Sequence, residues 1–309
     1  MSSRPLIVSV PDSQLRDALG PHLEGLELIE WDMSGPAPRS SIDIVVPPYM
    51  KPRSILQLLD GVTTRLVQAQ VLGYDGVQEA LPSGHVYANA VGVHEGSTAE
   101  LAVGLILASQ RGIPDFVRAA EKGQWRPRPY PSLADRSVLL VGYGGVGRAI
   151  EARMLAFETA LTRVASTERA DERGTIYAIS SLPELLPEAD IVVIGVPLTP
   201  STTHLVDDAF LSMMRDHSLL VNIARGRVAD TDALLAHAQS GRLRLALDVT
   251  DPEPLPEGHP LFSLPNVLIS PHVGGATNAM MPRMARLLRE QIERMQRGDE
   301  PLHVVVRSI

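Results

Sequence analysis

The chain has 309 residues, 44% of them apolar and 21% charged, which is about twice an ordinary domain with an ordinary globular balance and excludes both a small module and a disordered chain. With 36 acids against 28 bases, the net charge is −8, so a polyanion is repelled on average and nucleic acid is not expected as a partner. The absence of cysteine removes disulfides, thiolate catalysis and thiolate metal sites. The strongest apolar stretch, 101–108, falls short of the roughly 20 residues a bilayer requires, so a cytoplasmic protein without a membrane partner is expected.

Short apolar runs at 6–10, 42–46, 65–68, 86–88, 138–141, 161–165, 191–196, 219–223, 245–249 and 267–269 read as strands. Several, such as VLLV and IVVIGV, lack polar alternation, as parallel strands covered on both faces do. Helical periods lie between them. Val146, Ile150, Met154 and Phe157 share one face, and Met281, Met284, Leu288, Ile292 and Met295 share another. Residues 98–111 read as a long buried helix, followed by a proline- and arginine-rich connection, 124–131, that suits a hinge or a subunit-contact arm. The expected fold is α/β with two doubly wound parallel-sheet domains. Residues 98–278 form a Rossmann dinucleotide-binding domain, and 1–97 with 279–309 form a smaller, flavodoxin-like substrate domain that is discontinuous in sequence.

Gly142, Tyr143, Gly144, Gly145, Val146 and Gly147 follow a strand and open a helix, the context in which a GxGxxG sequence cradles a dinucleotide pyrophosphate. The next strand is expected to deliver an acid to the adenosine ribose roughly 20 residues on. Instead Ser166, Thr167, Glu168 and Arg169 follow it. Small hydroxyl residues with Arg163 and Arg169 suit a 2′-phosphate, so the cofactor is NAD(P) with a lean to NADP, and Glu168 is the counterweight.

Later strand ends carry Val196, Pro197 and Thr202, then Ile223, Ala224 and Arg225, then Asp248, then His272 and Gly274. Ligands bind beyond the carboxyl ends of strands in an open parallel sheet, so these residues are expected to line one cleft. Arg225 suits a carboxylate or a polarised carbonyl, His272 can move a proton near neutral pH, and Glu253 can orient that imidazole. Each residue alone more often serves structure than catalysis. Their order, each after a strand, reverses that reading. The other eight histidines lack metal-ligand spacing, and neither a GxSxG elbow nor a Walker loop is present.

The segments NIARG (222–226), ALDVTDPEPLP (246–256) and SPHVGG (270–275), with GYGGVG and VPLTPST (196–202), resemble the D-isomer-specific 2-hydroxyacid dehydrogenases, a family with phosphoglycerate-, glyoxylate- and hydroxypyruvate-acting members. The resemblance implies Arg225 as the substrate-binding arginine, His272 as acid/base, Glu253 as its carboxylate partner and Asp248 near the nicotinamide end. It also implies a homodimer and a small 2-oxo acid as substrate. It thins before residue 98, where Leu72 and Gly73 are the expected substrate contacts, and loops 47–50 and 71–75, with Arg53, are expected to shape the pocket. Two other readings stay open: a dinucleotide-sensing corepressor-like binding protein, and a phosphite-type dehydrogenase, which keeps the same three catalytic residue types.

Overall fold

The apolar run LIVSV near the start of the chain, with one serine in it, forms β1 (Leu6–Val10), and Asp12 then starts α1 (Ser13–Leu19) by accepting the Leu15 amide at 2.9 Å. β2 (Leu26–Glu30), β3 (Ser41–Val45), β4 (Thr63–Gln68), α2 (Val77–Ala80) and β5 (Val86–Ala88) follow. The computed structural model describes residues 4–21 and 24–308. By backbone contacts the chain forms two units: one runs to His94 and resumes at Ala276, and the other is Glu95–Gly275.

The second unit contains α3 (Glu95–Gln110), α4 (Ile113–Glu121), β6 (Ser137–Val141), α5 (Gly145–Met154), β7 (Ala160–Ala165), β8 (Arg169–Asp171), β9 (Gly174–Ala178), α6 (Leu182–Leu185), β10 (Ile191–Ile194), α7 (Asp208–Met213), β11 (Leu219–Asn222), α8 (Thr231–Gln239), β12 (Arg244–Leu247) and β13 (Val267–Ile269). The chain then returns to the first unit with α9 (Met280–Arg297) and β14 (Val304–Arg307).

In the first unit the sheet order is β14-β5-β4-β3-β1-β2. Its five parallel strands thus run 2-1-3-4-5, the flavodoxin-like order, and β14 adds an antiparallel edge on β5. The α9 stripe packs on that sheet: Met284, Leu288 and Ile292 are buried beside Val8, Ile44 and Leu66. Gln291 fixes the return. Its Nε2 donates to Gln68 Oε1 at 2.8 Å and to the Leu302 carbonyl at 2.9 Å, while its Oε1 accepts the Leu302 amide.

The second sheet runs β13-β12-β11-β10-β6-β7-β9-β8, parallel except for the β8–β9 hairpin. Without that hairpin's outer strand the order is the Rossmann one, reversing at β6 and β10. Side chains alternate across it as period two requires. Leu139, Val141, Val192, Ile194 and Leu220 pack beneath Leu182, Phe210, Leu211 and Leu234, whereas Leu140, Val193 and Val221 pack against Ala102 and Ile106 of α3 and Ile150 and Met154 of α5. Both faces are therefore covered, which is why these strands read as continuous apolar runs.

Strands β2, β8, β9 and β14 are additional to the expected runs. All three side chains of β8 are exposed, so it has no apolar period to read, whereas β2 and β14 place Leu28 and Val306 against the cores. The segment after β7 forms a charged hairpin that begins at Arg169. Strands β10, β11 and β12 end one to two residues before the expected bounds, because their carboxyl ends open into the loops that carry the polar residues.

Candidate active site

β6 and β10 are neighbours in the second sheet, and each is followed directly by a glycine, Gly142 and Gly195. Gly142 takes φ 110°, and a β-carbon there would lie 2.5 Å from the Gly195 carbonyl group. A β-carbon at Gly147 would lie 2.3 Å from the Gly142 carbonyl oxygen. Both glycines are thus required by the protein's own backbone. Gly144 differs: a β-carbon there would meet nothing within 4 Å. It stands directly before α5, whose first amides have no side-chain cap and no intrahelical acceptors. Open space in front of a row of donors fits a pyrophosphate. The Tyr143 and Val146 side chains turn inward, since Tyr143 is buried and Val146 packs on the α3–α5 core, so these residues can offer only backbone to such a group. Gly145 lies against α3, with its β-carbon position 2.9 Å from Glu95 Cγ.

Ser166, Thr167 and Glu168 are exposed beyond β7. Arg169 bends back over the glycine turn, its Nη2 donating to the Tyr143 carbonyl at 3.3 Å. Arg163, expected as a second cation for a 2′-phosphate, is not available. It is 3% exposed, and its Nη1 donates to both Asp171 oxygens at 2.9 and 3.2 Å. A buried guanidinium is retained only with a charged partner, and Asp171 is that partner.

Arg225, Glu253 and His272 follow β11, β12 and β13, three adjacent parallel strands. Arg225 is held from both sides. Asn222 accepts the Ala224 amide at 3.1 Å and donates to the Arg225 carbonyl at 3.2 Å, and the Arg225 Nη1 donates to the Ala224 carbonyl at 2.8 Å. Gly226 lets the next strand's loop approach, because a β-carbon there would lie 1.8 Å from the Thr250 oxygen. That loop carries Glu253, and Thr231 Oγ1 donates to its Asp251 carbonyl at 2.5 Å. Glu253 Oε1 lies 2.5 Å from His272 Nδ1, which leaves Nε2 as the ring atom open to another group.

His272 has φ 53°, a left-handed conformation that costs a non-glycine residue roughly 1–2 kcal/mol. Asp248 holds it there. Its backbone oxygen accepts the His272 amide at 2.7 Å, Oδ1 accepts Ser270 Oγ at 2.7 Å and the Val273 amide at 3.0 Å, and Oδ2 accepts the Gly274 amide at 2.9 Å. Asp248, expected near the nicotinamide end, thus directs its carboxylate into the histidine loop. A buried acid one residue past a strand was legible in sequence, but its acceptors were not. Thr202 is similarly used within its own loop, its Oγ1 donating to the Pro197 carbonyl at 2.6 Å and accepting the Thr199 amide at 2.8 Å. Val196, Ile223 and Ala224 are buried beside these loops. Leu72 and Gly73 belong to the first unit, where the Leu72 carbonyl accepts Asn89 Nδ2 at 2.9 Å and the Gly73 carbonyl accepts Arg53 Nη2 at 2.7 Å. Arg53 is therefore a loop tie, with its guanidinium on the Gly73 and Asp75 carbonyls.

A family model described as D-isomer specific 2-hydroxyacid dehydrogenase, NAD binding domain, matches residues 103–274. A glyoxylate reductase of Thermofilum pendens is 34% identical over 256 residues, covering 79% of this chain and 76% of that one. A solved NADPH-dependent glyoxylate/hydroxypyruvate reductase from Sinorhizobium meliloti, in complex with NADP and malonate, is 27% identical with a TM-score of 0.80, covering 99% of this chain and 98% of that one. A protein from Aeromonas salmonicida shares the fold at 21% identity, with a TM-score of 0.86 over 99% of this chain and the whole of that one.

Proposed function

The chain belongs to the D-isomer specific 2-hydroxyacid dehydrogenase family, and from that premise we propose that it reduces a small 2-oxo acid, such as glyoxylate or hydroxypyruvate, with a preference for NADPH. It is an NAD(P)-dependent D-2-hydroxyacid dehydrogenase. The observation that carries the catalytic reading is the 2.5 Å contact of Glu253 with His272 Nδ1 beside a strand end that bears Arg225.

The glycine turn and the first amides of α5 would hold the pyrophosphate, and Ser166, Thr167 and Arg169 the adenosine end. When bound, the reduced nicotinamide supplies hydride. Arg225 grips the substrate carboxylate and stabilises the charge that develops on the carbonyl oxygen. His272 gives that oxygen a proton from Nε2, and Glu253 fixes the tautomer by accepting from Nδ1–H. In oxidation His272 accepts the proton.

A panel of 2-oxo acids with NADPH and NADH in parallel, followed by nicotinamide absorbance, tests this. Turnover of glyoxylate or hydroxypyruvate is expected. Turnover of phosphite alone would instead make the protein a phosphite dehydrogenase, and tight dinucleotide binding without turnover would make it a sensor.

We also propose a cytoplasmic homodimer. No described helix is long and apolar enough to cross a membrane. α4 buries none of its residues and exposes Ile113, Phe116 and Val117, and Trp125 is 94% exposed. An apolar patch of that kind marks an interface.

A further inference from the structure

Beneath the glycine turn lies a charge cluster that the proposed chemistry leaves without a role. Tyr143 donates its hydroxyl to Glu151 Oε2 at 2.5 Å, and Arg173 Nη1 donates to the same oxygen at 2.7 Å. Arg163 lies 3.5 Å from the other Glu151 oxygen, donates to both oxygens of Asp171, and lies 5.2 Å from the centre of the Tyr143 ring. Glu151 and Arg163 are 4% and 3% exposed. Two acids and two arginines balance, so the cluster carries no net charge. Buried ion pairs add little stability over apolar packing of equal volume. Their value is in fixing one arrangement, and this one joins four segments: the glycine turn, α5, β7 and the β8–β9 hairpin.

The hairpin needs such a tie. β8 is three residues long with every side chain exposed, and Ile176 is the buried apolar side chain of β9. β9 is held by parallel pairing with β7, whereas β8 is the outermost strand, is bonded only to β9 and buries no side chain of its own. Residues two apart on a strand share a face, so Asp171, locked to Arg163, sets the side on which Arg169 leaves β8. Arg169 then reaches the mouth of the turn, with Nη2 on the Tyr143 carbonyl and Nη1 3.5 Å from the Thr167 carbonyl.

We propose that the Asp171–Arg163–Glu151 cluster is a positioning device for Arg169 and through it sets the preference for NADPH over NADH. The inference rests on the reading of Arg169 as the 2′-phosphate partner. Arg163, Glu151 and Asp171 act through Arg169 and do not touch the cofactor.

The test is equilibrium binding of NADPH and of NADH to the full chain without substrate, read by cofactor fluorescence, with thermal melts alongside. Arg169→Ala is expected to weaken NADPH by roughly tenfold or more, the scale of one charge-assisted hydrogen bond, and to leave NADH within about twofold. Asp171→Asn keeps the shape but removes the charge that holds Arg163. It is expected to weaken NADPH roughly three- to tenfold and leave NADH within about twofold, with recovery in Asp171→Glu and no added loss in the Arg169→Ala/Asp171→Asn double variant, since coupled residues are non-additive. If Asp171→Asn does not fold, Asp171→Ser is read in its place. Should Arg169→Ala shift the NADPH/NADH ratio while Asp171→Asn does not, the positioning role is wrong and the cofactor reading stands. Equal weakening of both cofactors by Asp171→Asn, or additive losses in the double variant, overturns the positioning role as well. An unchanged ratio in Arg169→Ala removes the cofactor reading and this inference with it.

Discussion

Of three glycines in one turn, two are expected to respond to the same substitution in one way and the third in another, and the difference separates what the fold requires from what a ligand requires. At Gly142 an alanine must take φ 110° and bring its β-carbon to 2.5 Å from the Gly195 carbonyl. The conformation costs about 1–3 kcal/mol and the overlap about as much again. A total near 4 kcal/mol lowers the melting temperature of a unit of this size by about 8–16 °C. Gly147→Ala meets the Gly142 carbonyl oxygen at 2.3 Å and should behave likewise. Gly144→Ala meets nothing within 4 Å and has an ordinary φ of −93°, so its melt should match the parent's within about 2 °C. Its methyl group would fill the cradle instead, and an overlap of about 1–3 kcal/mol weakens NADPH by roughly 5- to 150-fold. Circular-dichroism melts and a fluorescence titration of NADPH give both numbers. Unchanged NADPH affinity in Gly144→Ala, or a parent-like melt in Gly142→Ala, would refute the assignment of the turn.

His272→Gln and Arg225→Ala should each lower turnover by roughly 10²-fold or more while dinucleotide affinity stays near the parent's, and steady-state rates beside binding titrations check this. Asp248→Ala leaves Ser270 Oγ and the Val273 and Gly274 amides without their acceptor, at about 1–3 kcal/mol for the buried Gly274 amide alone. It should both lower the melting temperature and reduce turnover, since a misplacement near 1 Å costs about 10²-fold, and a variant with a lowered melt but full turnover would remove Asp248 from His272 positioning. Burial pushes the pKa of His85 down, while the Leu59 backbone and Asp60 work upward less strongly. The folded chain therefore keeps His85 neutral at pH values where the unfolded chain, with an ordinary value of about 6.5, takes up a proton. Stability from this group is present above that pH and is lost as pH falls through and below it. Denaturant titrations should show a shallower acid loss in His85→Asn than in the parent.

The sequence disclosed most where one physical requirement dominated. Strands buried on both faces, such as Ile191–Ile194, must be apolar throughout, and the turn at Gly142 must be glycine because Gly195 is against it. Both were readable. The β8–β9 hairpin was not, because β8 is exposed throughout and β9 buries Ile176 alone, and the Arg163–Asp171 ion pair that ties β8 to β7 leaves no period in the chain. Arg163 looked like a surface cation for the same reason: a lone charge in a strand does not announce the acid eight residues on that neutralises it. Asp248 was recognisable as a residue of interest, but its hydrogen bonds are to amides 25 and 26 positions away, and only folding brings them together.

The first unit cannot be completed from its own leading segment. Its sheet gains the edge strand Val304–Arg307, and its apolar face is covered by Met284, Leu288 and Ile292, only after the whole intervening Rossmann unit has been made. During synthesis from the amino end, the early strands must therefore wait with an open edge and a face covered only in part, by Leu15 and Leu19 of α1, while the later, contiguous unit can already close. A ribosome-bound chain stopped just after Gly275 should hold a protease-resistant second half and a digestible first one.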